Sequence, residues 1–277
     1  MPKWMTTAGL CAVMALMIGF GLQLGMAEGE LAGEDTGEDA AMERKVDLKV
    51  ISDPSHEEMN LTAPDTFEAL FKTTQGDFTV KVTREWAPKG ADRFYSLVKN
   101  GYYDGTRFFR VVDDFVIQWG IHGDPEVNKA WYDPANSAAV NIKDDKRLKS
   151  NKKGTITFAN AGPNTRSTQL FINFKDNAFL DDEVRMRGSI FAPFGEVDEE
   201  GMKVVNKLYK GYGEPPRQLQ GLLAERGNAI LDAQFPKMDS IKTATIVNRK
   251  MMDDEKDKAM DEMKEKAMDK AKEVAGE

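Results

Sequence analysis

The chain contains very little cysteine and histidine. Among its 277 residues there is one cysteine, Cys11, and there are two histidines, His56 and His122. Cys11 lies in an N-terminal segment with the composition of an export signal, so a chain cleaved after that segment would hold no thiol. This excludes disulfides, thiol catalysis and thiolate metal sites, and two histidines far apart disfavour a catalytic metal. We therefore expect neither a metal nor another cofactor.

Net positive charge is lacking as well. The chain has 38 Lys and Arg against 46 Asp and Glu, a formal net charge of −8. Phosphate recognition needs a basic patch, and no Lys/Arg cluster here is free of neighbouring acids, so we expect no nucleic-acid partner. Ser150, Ser167 and Thr168 have no base and orienting group at useful positions, which disfavours a hydrolase.

The N-terminus, residues 1–27, is predicted to direct export. Lys3 supplies a positive start, residues 4–27 carry no charge, and the segment ends in small residues, Gly25-Met26-Ala27. We expect a signal peptide and a periplasmic protein. The uncharged stretch is also long enough to span a bilayer. If it is not cleaved, it would tether the protein to the inner membrane.

The predicted domain is flanked by two charged segments. Residues 28–65 form an acidic linker and lead-in, since residues 28–43 contain seven acidic and no basic side chains. Residues 249–277 predict a charged helical tail, with Met and Ala at helical spacing on one thin stripe. The tail is interpreted as a solvated helix with i,i+4 ion pairs, or as a surface for a helix partner.

The central part, residues 66–248, alternates strand-like and turn-like segments. "ALFKTTQGDFTVKVT" predicts a hairpin, because apolar residues alternate on both sides of Gly76-Asp77. "APKGADRFYSLVKNGYY" has helical spacing, with Pro88 near its start and Gly101 at its end, and "EEGMKVVNKLYKGYG" predicts a second helix. Many strands with two helices indicate a mainly β domain, an antiparallel barrel or sandwich.

Three motifs carry chemistry, and their order is informative. "FFRVVDDFVIQWG" at 108–120 is followed by "FANAGPNTRSTQLFI" and then by "FGEV" with the second helix. This series resembles the cyclophilin-type peptidyl-prolyl cis-trans isomerases over residues 66–248, and especially their exported bacterial members. The resemblance implies a closed eight-stranded antiparallel barrel capped by two helices. It also implies isomerase activity on proline-containing polypeptide segments.

The chemistry of such an enzyme explains an arginine in a β-strand. Rotation about an X-Pro bond meets a barrier of ~18–20 kcal/mol because the C–N bond is partly double. An apolar pocket for the proline ring and a fixed cation that favours the twisted amide would lower it without a nucleophile or a metal. Arg110 suits this, because guanidinium is always charged and offers forked donors.

The resemblance assigns further roles residue by residue. It implies that Arg110 is the catalytic cation and that Gln118 and Gln169 bind the substrate backbone or steady the arginine. Phe179 stands where well-studied members of the family carry a tryptophan that binds their macrocyclic inhibitor, which puts inhibitor sensitivity in doubt. The remaining substrate-binding positions are walls of the proline pocket and a stretch that pairs with extended substrate: Phe115, Val116, Phe171 and Leu180, then Ala159 and Asn160.

Plainer interpretations of the same residues stay open. An arginine in a strand commonly pairs with an acid, and Asp113, Asp114 and Asp124 are nearby in sequence. Phe115, Phe171 and Leu180 taken singly would be ordinary core. The groove would also serve a non-catalytic proline-binding chaperone or scaffold, and His122 is either a substrate contact or a loop residue.

Strand register poses a separate question. If Asp113-Asp114 were a two-residue hairpin turn, Arg110 would lie opposite Ile117, and Gln118 would face the other side of the sheet. A bulge or a looser turn is required to bring Arg110 and Gln118 together.

Overall fold

The computed structural model of the chain describes residues 45–214 and 219–247. The predicted export signal, the acidic stretch 28–43 and the predicted helical tail lie outside the described residues. No helix in the part of the chain that is described is both long and apolar enough to cross a membrane.

Eight antiparallel strands form one curled sheet, which is the mainly β architecture predicted. The order across the sheet is β3-β4-β6-β5-β7-β2-β1-β8. The strands are β1 (Thr66–Thr73), β2 (Gly76–Thr83), β3 (Arg110–Val112), β4 (Val116–Trp119), β5 (Thr155–Phe158), β6 (Leu170–Asn173), β7 (Gly195–Val197) and β8 (Ile241–Val247).

The first hairpin follows from side-chain alternation. β1 and β2 pair from Thr66↔Thr83 to Thr73↔Gly76, and Gly76 takes a φ of 119°, which favours glycine. On β2 the apolar Phe78, Val80 and Val82 are buried while the residues between them are more exposed. This period of two places one face of the hairpin on the core, as the sequence predicts.

The predicted closure of the barrel is wrong: the sheet is a half-barrel with β3 and β8 at its edges. The edges approach each other just ahead of these strands, where Arg107 and Ser240 form an isolated bridge and the Phe108 amide donates to the Asp239 carbonyl (3.0 Å). Within residues 45–214 and 219–247 no ladder joins β3 to β8. β3 has only three residues before the chain turns back, too few to follow β8 along its length.

Helices cover the sheet, and two of them lie where helices are predicted. The α-helices among the described residues are α1 (Leu48–Ile51), α2 (Pro88–Lys99), α3 (Pro125–Tyr132), α4 (Ser137–Val140), α5 (Glu199–Val205), α6 (Leu219–Arg226) and α7 (Asn228–Gln234). α2 has Pro88 in its first turn and buries Ala91, Phe94 and Val98. α5 begins at an Asp198 side chain that accepts from the Gly201 amide (2.9 Å).

The core lies between α2 and the concave face of the sheet. Its aromatic rings meet there: Phe94 lies 5.0 Å from Phe194, and Phe71 lies 5.9 Å from Trp119, measured between ring centroids. Residues of the lead-in pack on the same body, since Ile51 and Met59 are fully buried. The Trp131 indole N–H donates to the Ile51 carbonyl (2.7 Å), which ties the lead-in to α3.

A layer formed by α3, α6 and α7 is an addition that the sequence does not predict. Its own small core consists of Phe109, Ile121, Leu219, Leu223 and Leu231, all buried. α6 and α7 have seven or eight residues each, and α6 buries only one pair of leucines spaced i,i+4. Helices this short carry too weak a periodic pattern to be recognised. Phe109 precedes β3 and Ile121 follows β4, so this layer packs against the open end of the β3–β4 hairpin. The site described next lies on the same hairpin.

Candidate active site

The turn between β3 and β4 decides which side chains meet. Val112 pairs with Val116, so the loop has three residues, Asp113 to Phe115, and Asp114 takes a φ of 53°. This is the looser turn that is needed to place Arg110 and Gln118 on the same face of the hairpin. It places Arg110 directly opposite Gln118, which in turn lies opposite Phe171 on β6. One row across three strands therefore holds the predicted cation, a predicted amide and a predicted pocket wall.

These side chains border a cavity of about 420 Å³. Nine of the ten predicted site residues line it: Arg110, Phe115, Val116, Gln118, Ala159, Asn160, Gln169, Phe171 and Leu180. The six that were not predicted are Tyr132, Ala161, Thr165, Ser167, Phe191 and Gln220. Phe179, the tenth predicted residue, is outside the lining. Its ring stacks on Phe115 with centroids 5.7 Å apart and supports that wall.

The wall opposite the polar groups is apolar. Val116, Phe171 and Leu180 are buried and form a cluster of their own, separate from the main core. Phe191 completes it, with its ring edge-on to Phe171 at 5.7 Å. Phe171 and Leu180 retain some exposure, 5% and 6%, although most core residues retain less. They are therefore packed like core residues and still face the cavity. The core interpretation and the pocket-wall interpretation are both compatible with this placement.

Arg110 is held by a chain of oriented amides. Its Nη1 donates to Gln118 Oε1 (3.0 Å), and Gln118 Nε2 donates to Gln169 Oε1 (2.8 Å). Gln169 Nε2 then donates to the Tyr132 hydroxyl oxygen (3.2 Å). Because a guanidinium only donates, each amide in this chain has one possible orientation. The guanidinium carbon also lies 5.4 Å from the centre of the Phe115 ring, a cation–π contact.

Arg110 is paired with an acid, but not with an acid close in sequence. Its Nη2 lies 2.7 Å from an oxygen of Glu214, 104 positions away. Asp113 instead binds Lys210 (2.6 Å), whose hydrogen bond lowers the pKa of that carboxyl group. The Asp124 side chain accepts from the Glu126 amide and caps α3. Arg110 therefore pairs with an acid and also lies beside Phe115 at the cavity.

Ala159 and Asn160 reach the cavity with part of their hydrogen-bonding capacity already used. The Ala159 amide donates to the Gln169 carbonyl (2.9 Å), continuing the ladder between β5 and β6. The Asn160 side chain donates to the Ile190 carbonyl (3.3 Å) and accepts from the Gly162 amide (3.3 Å). A substrate strand would therefore have to pair with other backbone groups of this stretch.

Three polar residues of the site come from the helical layer or the segment that leads to it. Tyr132 ends α3, Gln220 lies in α6 with its Oε1 3.4 Å from Gln169 Nε2, and Glu214 precedes α6. Burial raises the pKa of Tyr132 to about 12, so its hydroxyl stays protonated at any working pH. The sequence carries no short motif for any of the three, because their positions depend on how α3 and α6 pack.

His122 is a scaffold residue and not a member of the cavity lining. Its side chain is buried, and its Nδ1 accepts from the Asp124 amide (2.9 Å) at the start of α3. Its ring lies 5.3 Å from the Tyr102 ring. Burial lowers the pKa of His122 below its usual range, so the folded protein favours the neutral imidazole. Within the described residues, no group of three or more His, Cys, Asp and Glu side chains could hold a metal ion.

The pKa of His122 predicts a pH dependence of stability. Since the folded state binds this proton less readily than the unfolded state, the stabilisation is complete above about pH 6.5, the unfolded pKa, and is lost as the pH falls from there toward the folded pKa. We expect His122→Asn, whose Oδ1 can still accept from the Asp124 amide, to flatten the fall in unfolding free energy between pH 7.5 and 5.5. Urea titrations across that range measure it, with His56→Asn as the matched change. An unaltered slope in His122→Asn would contradict the assignment.

The fold and the cavity define a class of protein: a mainly β protein with a fixed guanidinium beside an apolar pocket. A family model described as cyclophilin type peptidyl-prolyl cis-trans isomerase/CLD matches residues 69–221, more than half of the chain. The chain belongs to this family, and membership makes it a peptidyl-prolyl cis-trans isomerase.

Two relatives in sequence agree with the family model. The chain is 36% identical over 137 residues to peptidyl-prolyl cis-trans isomerase cypE of Dictyostelium discoideum, covering 50% of this chain and 81% of that protein. It is 31% identical over 138 residues to peptidyl-prolyl cis-trans isomerase 10 of Caenorhabditis elegans, covering 49% and 83%. A cyclophilin type isomerase structure from Cryptosporidium parvum aligns with a TM-score of 0.44 at 18% identity, covering 66% of this chain and 99% of that one. These relatives are eukaryotic, so the likeness to exported bacterial members stays a prediction.

Proposed function

We propose that Arg110 is the catalytic cation of this isomerase and that the cavity beside it holds the substrate proline. The observation that carries this is the placement of one guanidinium, fixed by Gln118, at the edge of an apolar pocket built from Phe115 and Phe171. An apolar pocket positions a proline ring, and the guanidinium supplies donors next to the bond that rotates.

The proposed mechanism weakens the amide resonance. The proline ring packs against Phe115, Phe171 and Leu180, while the extended chain on either side lies along the groove. As the X-Pro bond twists, its nitrogen becomes pyramidal and gains electron density. A guanidinium that donates to the substrate lowers the energy of this twisted state more than that of the planar amide, which is the requirement for catalysis.

Gln118 and Gln169 contribute by fixing the cation. Arginine has a long side chain with several rotatable bonds. Fixing the guanidinium plane in one orientation costs conformational entropy, which would otherwise be lost when substrate binds. The amide chain that ends at Tyr132 does this before substrate arrives. Transition-state stabilisation depends on such prior orientation, because dipoles already in place need no reorganisation during rotation.

The sequence also left open a non-catalytic proline-binding module. A protease-coupled proline-turnover assay on the purified chain separates the two, since a module that only binds would leave the spontaneous rate unchanged. We expect clear acceleration, because isomerisation is otherwise slow, on the order of tens to hundreds of seconds. The absence of acceleration in the wild-type chain would favour the binding module.

We also propose that the protein acts on exported proteins. Its support is the sequence of residues 1–27, a positive start followed by an uncharged segment with small residues at its end. Mass spectrometry of the protein recovered from the periplasmic fraction should show a chain that begins near Glu28. Recovery of a chain that begins at Met1, in the membrane fraction, would instead indicate an anchor, and recovery from the cytoplasm would overturn the proposal.

A further inference from the structure

We propose that Glu214 is an internal ligand of Arg110 that a substrate must displace, and that it makes the enzyme prefer X-Pro segments with Lys or Arg beside the proline. The inference rests on the proposed role of Arg110. It adds a substrate class and a residue from outside the motifs.

Glu214 occupies the forked edge of the guanidinium. Arg110 Nε donates to both carboxylate oxygens, at 2.9 and 3.0 Å, and Arg110 Nη2 donates to one of them at 2.7 Å. On the other side, Arg110 Nη1 donates a hydrogen bond to Gln118 Oε1. Two parallel N–H groups facing a carboxylate are the strongest geometry that arginine offers. The donors best placed for an incoming oxygen are therefore already in use.

A substrate carbonyl competes for the same donors at a disadvantage. A carboxylate carries a full negative charge, so the guanidinium attracts it more strongly than it attracts a neutral amide oxygen. An amide oxygen that approaches the Nε and Nη2 edge has to displace Glu214 or accept a poorer angle. The pair thus raises the free energy of every complex in which substrate binds Arg110 through this edge.

Packed aromatic rings precede Glu214 in the chain. The Tyr212 ring packs edge-on against Tyr209 (4.9 Å) and Phe235 (5.1 Å). Glu214 therefore lies two residues beyond a packed side chain, which limits where its carboxylate can reach.

The carboxylate can still leave without a large desolvation cost. The Glu214 side chain is 62% exposed and that of Arg110 is 20% exposed. Ion pairs with one well-solvated partner are among the weaker ones, and salt screens them further. Glu214 should therefore act as a competitor and not as a permanent block.

A cationic side chain on the substrate would offset the free-energy cost of displacing Glu214. Glu214 contacts a residue that lines the cavity, so a carboxylate that leaves Arg110 is still attached to the chain next to it. A Lys or Arg next to the proline offers the displaced carboxylate a new partner, whereas an acid there repels it. The preference for basic over acidic peptides therefore follows from the displacement itself.

The test compares Glu214→Gln with a matched control. Asp232 is an acid of α7, is 59% exposed, and pairs with Arg107, which does not line the cavity. Asp232→Asn removes the same charge from the same part of the surface. Exchange rates measured by NMR on proline peptides need no coupling protease, so the residue before or after proline can be set to Lys, Ala or Glu.

We expect Glu214→Gln to raise kcat/KM for the Ala peptides about 1.5- to fivefold, the range for an exposed ion pair. The ratio of Lys to Glu peptides should exceed one in the wild type and fall toward one in Glu214→Gln. Asp232→Asn should behave as the wild type. A lower kcat/KM for all peptides in Glu214→Gln would mean that Glu214 positions Arg110, and no change would mean that the pair does not compete; either overturns the inference.

Failure of the isomerase role is distinguishable from failure of this inference. If neither the wild type nor Glu214→Gln accelerates exchange, the same NMR samples give peptide affinities by titration. Tighter binding of the Ala peptides by Glu214→Gln than by the wild type and Asp232→Asn would then uphold competition at Arg110. Equal affinities in all three would remove it.

Discussion

Replacing Arg110 with alanine should lower kcat/KM of the isomerase by roughly 100- to 1,000-fold, the usual cost of removing one donor aimed at developing charge. The cavity keeps Phe115, Phe171 and Leu180, so peptide affinity should fall much less than turnover. Arg110→Lys should recover little, because an ammonium group cannot present two parallel donors in one plane. The protease-coupled assay measures turnover, and peptide titration measures affinity.

Arg107→Ala is the matched control for this loss. Arg107 and Arg110 side chains are 21% and 20% exposed, and each binds an exposed acid, Asp232 and Glu214 respectively. Only Arg110 lines the cavity. Arg107→Ala should therefore keep near wild-type turnover, and thermal unfolding should show similar, small losses for both variants. Retained turnover in Arg110→Ala would remove the catalytic assignment.

Replacing Asp145 with alanine should cost the fold about 3–5 kcal/mol, the range for breaking a buried ion pair. Asp145 is 5% exposed and Arg166 is 0% exposed, and their charged groups lie 3.1 Å apart. Asp145 also accepts from the amides of Lys89 (3.1 Å) and Gly90 (2.9 Å) in the first turn of α2. The substitution would leave a buried guanidinium with only Asp144, 3.3 Å away, as its acid partner. Urea unfolding with linear extrapolation measures the loss.

Two further variants show whether burial causes the effect. Asp198 also caps a helix and binds a cation, Lys81 at 3.3 Å, but its side chain is 51% exposed. Asp198→Ala should therefore cost only about 1 kcal/mol. Adding Arg166→Met to Asp145→Ala should restore part of the lost stability, because it removes the buried charge that has lost Asp145. Equal losses for Asp145→Ala and Asp198→Ala, or no recovery in the double variant, would contradict this account.

Much of the site could be predicted because the motifs that carry the family resemblance are short and local in the sequence. One hairpin contains Arg110, Phe115 and Gln118. Gln169 and Phe171 lie two residues apart at the start of β6. Alternation along a strand places such residues on a common face without any knowledge of distant packing. The same parity shows that a two-residue turn would separate Arg110 from Gln118. The three-residue loop with Asp114 at positive φ is the structural answer.

Other features could not be predicted because they depend on where distant segments pack. Glu214 meets Arg110 across 104 positions, and Tyr132 reaches Gln169 only through the docking of α3. The acids close to Arg110 in sequence bind elsewhere, as Asp113 does with Lys210. The prediction of a closed barrel was wrong for a related reason. Whether two sheet edges pair depends on the length and direction of both edge strands, and β3 has only three residues.

The amino-acid sequence by itself determined the order of motifs that carries the family resemblance, and through it the candidate site residues: an arginine within a strand, apolar pocket walls and two amides. Such motifs can be recognised in a sequence because side-chain chemistry and strand alternation act over a few residues. The tertiary structure decided which acid the arginine meets, which helices surround the cavity, and that the sheet stays open at one seam. Those outcomes depend on contacts between segments far apart in the chain, whose free energies exist only once the fold has brought them together.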